Sequence, residues 1–309
     1  MASRRVVVTG ASGLLGRRLC AALKEKAFAV TAVSRNPAKA QASGLVADDF
    51  VRWENPEASP PPVDVLKGAH AIVHLLGETV NGRWTEEKKA KIISSRELST
   101  RNVVQGLKAA GQDAPSVFIC GSGIGWYGER GDDELGEDEP PGGDFLASVS
   151  VAWEREAQAA EELGIRVARL RTGIVLAKEG GALAEMLLPY QAGVGGMVGS
   201  GSQYWSWISI DDVTRALVKL VEDDSCSGAI NGTAPTPVTN AEFARELGAQ
   251  VAWHGMAPFP MPGFALKIIL GEFSDELLCS KRVLPRKLQA AGFEFQHPTL
   301  AQALEATLQ

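Results

Sequence analysis

Short apolar runs alternate with helix-period segments along the first 172 residues. Residues 6–8, 28–33, 50–53, 69–77, 116–120 and 166–171 are dominated by Val, Ile, Ala, Leu and Phe. Several are apolar at consecutive positions rather than at every second one, as strands covered on both faces require. Between them, residues 17–23 read as a helix following the first run. Residues 84–110 place Ile92, Ile93, Val103, Val104 and Leu107 at helical spacing among charges, which predicts one long amphipathic helix. Strand alternating with helix predicts an α/β fold with a parallel sheet.

The first run ends in Thr9-Gly10-Ala11-Ser12-Gly13-Leu14-Leu15-Gly16. Strand, glycine turn and helix together present backbone N–H groups and a positive helix end to a pyrophosphate. Gly10 allows the tight turn, Gly13 lets phosphates approach, and Gly16 lets helix and strand pack closely; Ser12, Leu14 and Leu15 complete the crevice. The alternative is a glycine-rich turn with a packing role alone, and the second run at 28–33 argues against it. A βαβ unit of this length is the mononucleotide-binding half of a doubly wound Rossmann fold. At the end of that second strand the chain reads Ser34-Arg35-Asn36-Pro37. An acid there would accept from a ribose 2′-OH. Arg35 and Ser34 would instead bind a 2′-phosphate, so NADP(H) is expected over NAD(H). The competing reading leaves Arg35 on the surface ahead of a Pro-started helix.

Ligands bind at strand carboxyl ends in open parallel sheets, so Leu75, Leu76, Gly77 and Glu78 are expected to line the cofactor cleft, with Gly121 at the next strand end. His70 and His74 fall on one face of their strand; packing is favoured over metal binding. Residues 55–63 are proline-rich and read as a surface loop. The glycine-dense stretch 121–128 and the acidic stretch 129–144 follow the fifth strand. The acidic one is too long for a plain connector, as loops that cover a site are. Beyond Thr172 the pattern loosens, which predicts a Rossmann domain over 1–172 and a smaller α/β lobe over 173–309, with some segments returning to the sheet. Asp211 or Asp212 is the expected cap of a helix after residue 210.

A formal net charge of −6 over 309 residues argues against nucleic-acid or anionic-membrane binding. No apolar run is long enough to span a bilayer, and the first strand begins too early for a signal peptide. Cys20, Cys120, Cys226 and Cys279 are scattered without C-x-x-C spacing. Free thiols in a reducing cytoplasm are expected, and no metal site.

These features resemble the extended, epimerase-type short-chain dehydrogenase/reductases. The carrying residues are the Thr9-to-Gly16 loop, the Leu75-Leu76-Gly77 strand end, the Ser122-to-Gly128 loop and Ile208-Ser209-Ile210-Asp211-Asp212. Further segments resemble one atypical NADP-binding subgroup with a conserved C-terminal domain of unknown function. They are Gly125-Trp126-Tyr127-Gly128, residues 140–146 and 238–243, and Val283-Leu284-Pro285-Arg286. The resemblance implies an NADP(H)-binding chain with a small-molecule substrate, and it allows a homodimer. It places Ser34 and Arg35 at the 2′-phosphate. Arg96 falls where the wider family has an Asn near the cofactor, either reaching a phosphate or substrate anion or lying exposed on its helix. The wider family catalyses with a Tyr-x-x-x-Lys pair; here Phe145 and Val149 fall at those positions. Ser122 remains, and Tyr127 is the tyrosine expected nearest the cleft. The two are the candidate catalytic residues, with Glu78 a possible relocated acid. The function expected is an NADP(H)-dependent oxidoreductase or epimerase-like enzyme; the alternative is an NADP(H)-binding regulatory or sensor protein without turnover.

Overall fold

Val6, Val7 and Val8 are fully buried in the first strand, β1 (Arg5–Thr9), in a computed structural model that describes residues 4–251 and 260–309. Val6 and Val8 pack into one apolar cluster and Val7 into the cluster on the opposite face. That two-sided burial is why the run is unbroken. Helix α1 (Leu14–Glu25) follows, then β2 (Ala29–Ser34), β3 (Asp49–Arg52) and β4 (Ala71–His74). Helix α2 (Glu86–Ala110), β5 (Val117–Gly123), helix α3 (Phe145–Gln158), β6 (Arg166–Thr172), helix α4 (Ile210–Glu222) and β7 (Gly228–Gly232) complete the central layers.

The seven strands form one sheet in the order β7-β6-β5-β4-β1-β2-β3, every pair parallel. This is the doubly wound α/β arrangement, with its strand order reversing between β1 and β4. Leu19 and Leu23 of α1 pack with Val213 and Leu217 of α4 on one face; Val103 and Leu107 of α2 pack with Trp153 and Ala157 of α3 on the other. The chain beyond residue 172 thus returns α4 and β7 to the central layers. A third cluster, around Leu183, Trp205, Trp207 and Phe243, holds part of the rest of that stretch, while Leu288 and Phe293 join the first.

Several local expectations are corrected. The long helix starts at Glu86, because Thr85 caps it by accepting from the Lys88 N–H. The fifth strand runs three residues further, so Ser122 lies on β5, paired with Arg171, and only residues 124–127 form a tight turn. Ser209, not Asp211 or Asp212, caps α4. Asp212 accepts instead from the backbone N–H groups of Gln296 and His297. The proline-rich loop is half inside, with Pro56 and Pro61 buried.

The two histidines do not share a face, because His70 precedes the strand. It stacks on Phe28 and lies 3.2 Å from the carbonyl of Val221, beside α4. His74 is buried on the other side, 2.6 Å from Thr9 Oγ1 and 3.1 Å from Ser99 Oγ. Burial pushes its pKa down to about 3, so it is a neutral hydrogen-bonding core residue. All four cysteines are free, and no metal-binding cluster occurs among the described residues. No helix among them is long and apolar enough to cross a membrane.

Candidate active site

Gly10 adopts φ +69°, and a Cβ there would sit 2.7 Å from the carbonyl oxygen of Leu75, so the turn lies against the end of β4. A Cβ at Gly16 would lie 2.3 Å from the Gly10 carbonyl oxygen; helix and loop meet with no room for a side chain. Gly13 stands at the N-cap of α1 with an extended backbone and no side chain capping the helix, leaving the first-turn N–H groups open. Ser12 and Gly13 are exposed. Arg17, which sequence reasoning overlooked, bonds to Ser12 O and to Ser43, tying this loop to the helix after β2.

At the end of β2, Arg35 is exposed. Its guanidinium makes no hydrogen bond among the described residues, and its charge helps lower the pKa of the Glu57 carboxyl. Ser34 Oγ accepts from the Asn36 N–H, and Asn36 caps the helix Pro37–Ala42. Glycine crevice, uncapped helix start and free basic strand end are together what a phosphorylated dinucleotide needs.

A cavity of about 510 Å³ opens from this crevice across the carboxyl ends of β4, β5 and β6. That size suits a small ligand. Leu14, Leu15, Gly77, Glu78, Arg96 and Ser122 all line it. Leu75 and Leu76 do not; they pack back towards the two core clusters. Gly121 is buried instead, where a Cβ would meet the Trp153 ring at 3.3 Å.

Arg96 points inward rather than lying exposed. Its guanidinium stacks 5.0 Å from the Trp153 ring centroid, and a Cβ on Gly77 would come within 3.1 Å of its Cζ. Burial lowers its pKa to about 10, with Glu78 opposing, so it remains a cation. No carboxylate pairs with it among the described residues. Glu78 is taken: Lys88 lies 2.8 Å away and holds its carboxyl below the usual range, which removes it as a proton donor.

Ser122 Oγ donates to Glu154 Oε1 at 2.7 Å. Glu154 is 5% exposed and receives Arg171 Nε at 2.8 Å and Nη2 at 2.9 Å. A carboxylate so held offers only lone pairs, so the single Ser122 proton is committed to it. What Ser122 presents to the cavity is an acceptor.

Tyr127 is a correction. It is fully buried and lines none of the cavity. Its hydroxyl lies 2.6 Å from Asn231 Oδ1 and accepts from Arg171 Nη1 at 3.1 Å. Burial pushes its pKa up to about 12, with Arg171 opposing, so it is a structural strut behind the strand ends. Nor is it the tyrosine nearest the cleft, since Tyr204 lines the cavity. The acidic stretch does not line this cavity. Glu134–Leu135 pairs with Arg282–Val283, and Glu137 accepts from the Asn231 and Lys287 N–H groups.

On α3, Phe145 turns away to pack edge-on against Trp84 at 4.9 Å. Leu146, Val149, Ser150 and Trp153 face the cavity, and none is a tyrosine or lysine. The wall opposite comes from the expected smaller lobe, but most of its residues were not singled out in the sequence: Tyr204, Trp205, Glu276, Leu277, Cys279 and Lys281 come from the chain beyond residue 200. Trp207, by contrast, is core.

Residues 6–231 match the NAD-dependent epimerase/dehydratase family, and residues 261–307 match a domain of unknown function. An epimerase family protein of Mycobacterium leprae is 37% identical over 98% of this chain and 96% of its own. A chloroplastic relative from Arabidopsis thaliana, the SDR39U1 homolog, is 36% identical over 98% of this chain and 86% of its own. The crystal structure of the human epimerase family protein SDR39U1 with NADPH superposes with a TM-score of 0.86 at 32% identity, covering 98% of both chains.

Proposed function

This chain belongs to the NAD-dependent epimerase/dehydratase family, and from that premise we propose that it is an NADP(H)-dependent oxidoreductase or epimerase-like enzyme acting on a small molecule in the 510 Å³ cavity. The observation that carries this reading is that Leu14 and Leu15, from the loop of Gly10, Gly13 and Gly16, line that cavity. The NADPH in the human relative's structure and the unpaired Arg35 both favour the phosphorylated cofactor. Gly13 and the start of α1 would hold the pyrophosphate, Ser34 and Arg35 the 2′-phosphate. Arg96 offers a buried positive charge to an anionic group between crevice and cavity. The cofactor, when bound, supplies two-electron transfer. Ser122 accepts from a donor on the bound molecule, and the apolar wall of Leu146, Val149 and Trp153 keeps water out.

Arg35→Asp is expected to weaken NADPH binding roughly ten- to a hundredfold while leaving NADH little changed, since a charge-assisted bond to phosphate is lost. Calorimetric titration of both cofactors decides it. Equal affinities in the wild-type chain would remove the NADP(H) assignment.

The apolar face of α3 favours a second reading, an NADP(H)-binding regulatory or sensor protein. Positioned acid–base groups contribute about 10²–10⁴-fold. A reductase screen over aldehydes, ketones, quinones and sugar nucleotides separates the two. Turnover that falls in Ser122→Ala supports the enzyme; tight NADPH binding with no turnover on any of them supports the sensor.

A further inference from the structure

Lys281 is 3% exposed and lines the cavity. An ammonium is seldom buried so far without a reason. Its backbone is clamped: the N–H donates to Tyr204 O at 3.0 Å, and its carbonyl accepts from Ser206 Oγ at 2.7 Å. The neighbouring Ser280 is held from two sides, its N–H donating to Glu129 Oε2 at 2.7 Å and its Oγ to Gly131 O at 2.6 Å. The side chain therefore springs from a rigid base.

An ammonium carries three N–H donors. Lys281 Nζ gives one to Glu276 Oε1 at 2.6 Å and a second contact to the Cys279 side chain, which leaves a third donor over. Burial would lower its pKa, but the Glu276 carboxylate offsets that and leaves it raised, so it stays charged. Cys279 beside it is a neutral thiol, pushed up to about 12 by burial. Donor capacity remains for a ligand oxygen.

The kind of oxygen follows from the charges. Lys281 and Glu276 cancel, and a ligand carboxylate would have to approach the Glu276 oxygen already on Nζ. A neutral carbonyl oxygen accepts without that repulsion. The body of the ligand follows from the walls: Leu146, Val149, Trp153, Trp205, Phe273 and Leu277 offer apolar surface. A sugar, with a hydroxyl on most of its carbons, would leave several unpaired against them.

We propose that Lys281 is the anchor of a substrate subsite that takes the carbonyl oxygen of an aromatic or aliphatic ketone, aldehyde or quinone. The subsite rests on the reading of the cavity as a substrate site, and it narrows that reading away from sugar nucleotides.

The test uses the full chain saturated with NADP⁺, with benzylacetone, 3-phenylpropionate and UDP-glucose as probes and binding followed by tryptophan fluorescence and calorimetry. Wild type should bind benzylacetone in preference to the other two. Lys281→Met should weaken benzylacetone roughly ten- to a hundredfold, the loss of a hydrogen bond to a charged group, with NADP⁺ affinity unchanged. Glu276→Gln, which leaves the ammonium without its counter-charge, should shift preference towards 3-phenylpropionate. It also stands as the test should Lys281→Met fail to fold. A folded Lys281→Met that binds benzylacetone as wild type does, or a wild type that prefers UDP-glucose or binds none of the three, overturns the subsite. Failure of wild type to bind NADP⁺ would instead overturn the cofactor reading, and the two results are separate.

Discussion

Glu154→Ala is expected to destabilise the fold by about 3–5 kcal/mol, the range found when one partner of a buried ion pair is removed. The carboxylate is surrounded: Arg171 chelates it at 2.8 and 2.9 Å, Arg169 Nε stands 3.6 Å away, and Ser122 donates to it at 2.7 Å. Arg171, 3% exposed, cannot retreat to water. Arg171 is fixed by the Tyr127 hydroxyl and the Glu137 carbonyl and lies 3.9 Å from the Trp126 ring centroid. Two Arg169 nitrogens have no hydrogen-bond partner and rest on charge attraction alone. Removing Glu154 therefore strands the Arg171 charge inside the protein, while Arg169 keeps Glu161 at 3.6 Å. Glu154→Gln, which keeps an acceptor but not the charge, should lose less. Urea denaturation monitored by circular dichroism measures both. A midpoint for Glu154→Ala equal to wild type would mean that the cluster relaxes into solvent. The same substitution frees the Ser122 proton, so the group offered to the cavity would change from acceptor to donor.

Gly16→Ala is expected to abolish measurable NADPH binding and to lower the melting temperature by several degrees. The added Cβ would lie 2.3 Å from Gly10 O and 2.7 Å from Ala11 Cα, both backbone atoms that cannot swing aside. Overpacking of that kind costs about 1–3 kcal/mol and sometimes more. Gly13→Ala makes the informative contrast. Its Cβ meets only Gly10 O, at 3.2 Å, and its backbone angles suit any residue. The fold should survive, while NADPH affinity drops because the added methyl crowds the start of α1. Thermal melts beside calorimetric titration separate the two. If both variants melt and bind as wild type does, the loop holds no pyrophosphate.

The two-sided burial of β1, the glycine loop and the basic end of β2 were all legible in the linear chain, because each depends on neighbours within a few residues. A strand covered on both faces must be apolar throughout, and a helix start that receives phosphate must lack side chains. The same locality explains why the missing Tyr–Lys pair could be noticed, though not which residues of that helix face the cavity. Leu146, Val149 and Ser150 face the cavity while Phe145 packs on Trp84, because helix phase depends on where α3 docks.

Tyr127 shows where local reading runs out. It sits one turn past a strand end, the usual place for chemistry. Yet β7, more than a hundred residues later, brings Asn231 onto its hydroxyl and closes it in. The same long return builds the wall of Tyr204, Glu276 and Lys281, three residues whose sequence context carries no motif. What the chain by itself determined was the doubly wound core and the cofactor crevice, since hydrophobic period and glycine placement act over one strand and one turn. Only the tertiary structure decided which polar side chains reach the cavity. Burial, pairing and orientation depend on segments up to about 150 residues apart, such as Ser280 on Glu129, and spacing along the chain does not record them.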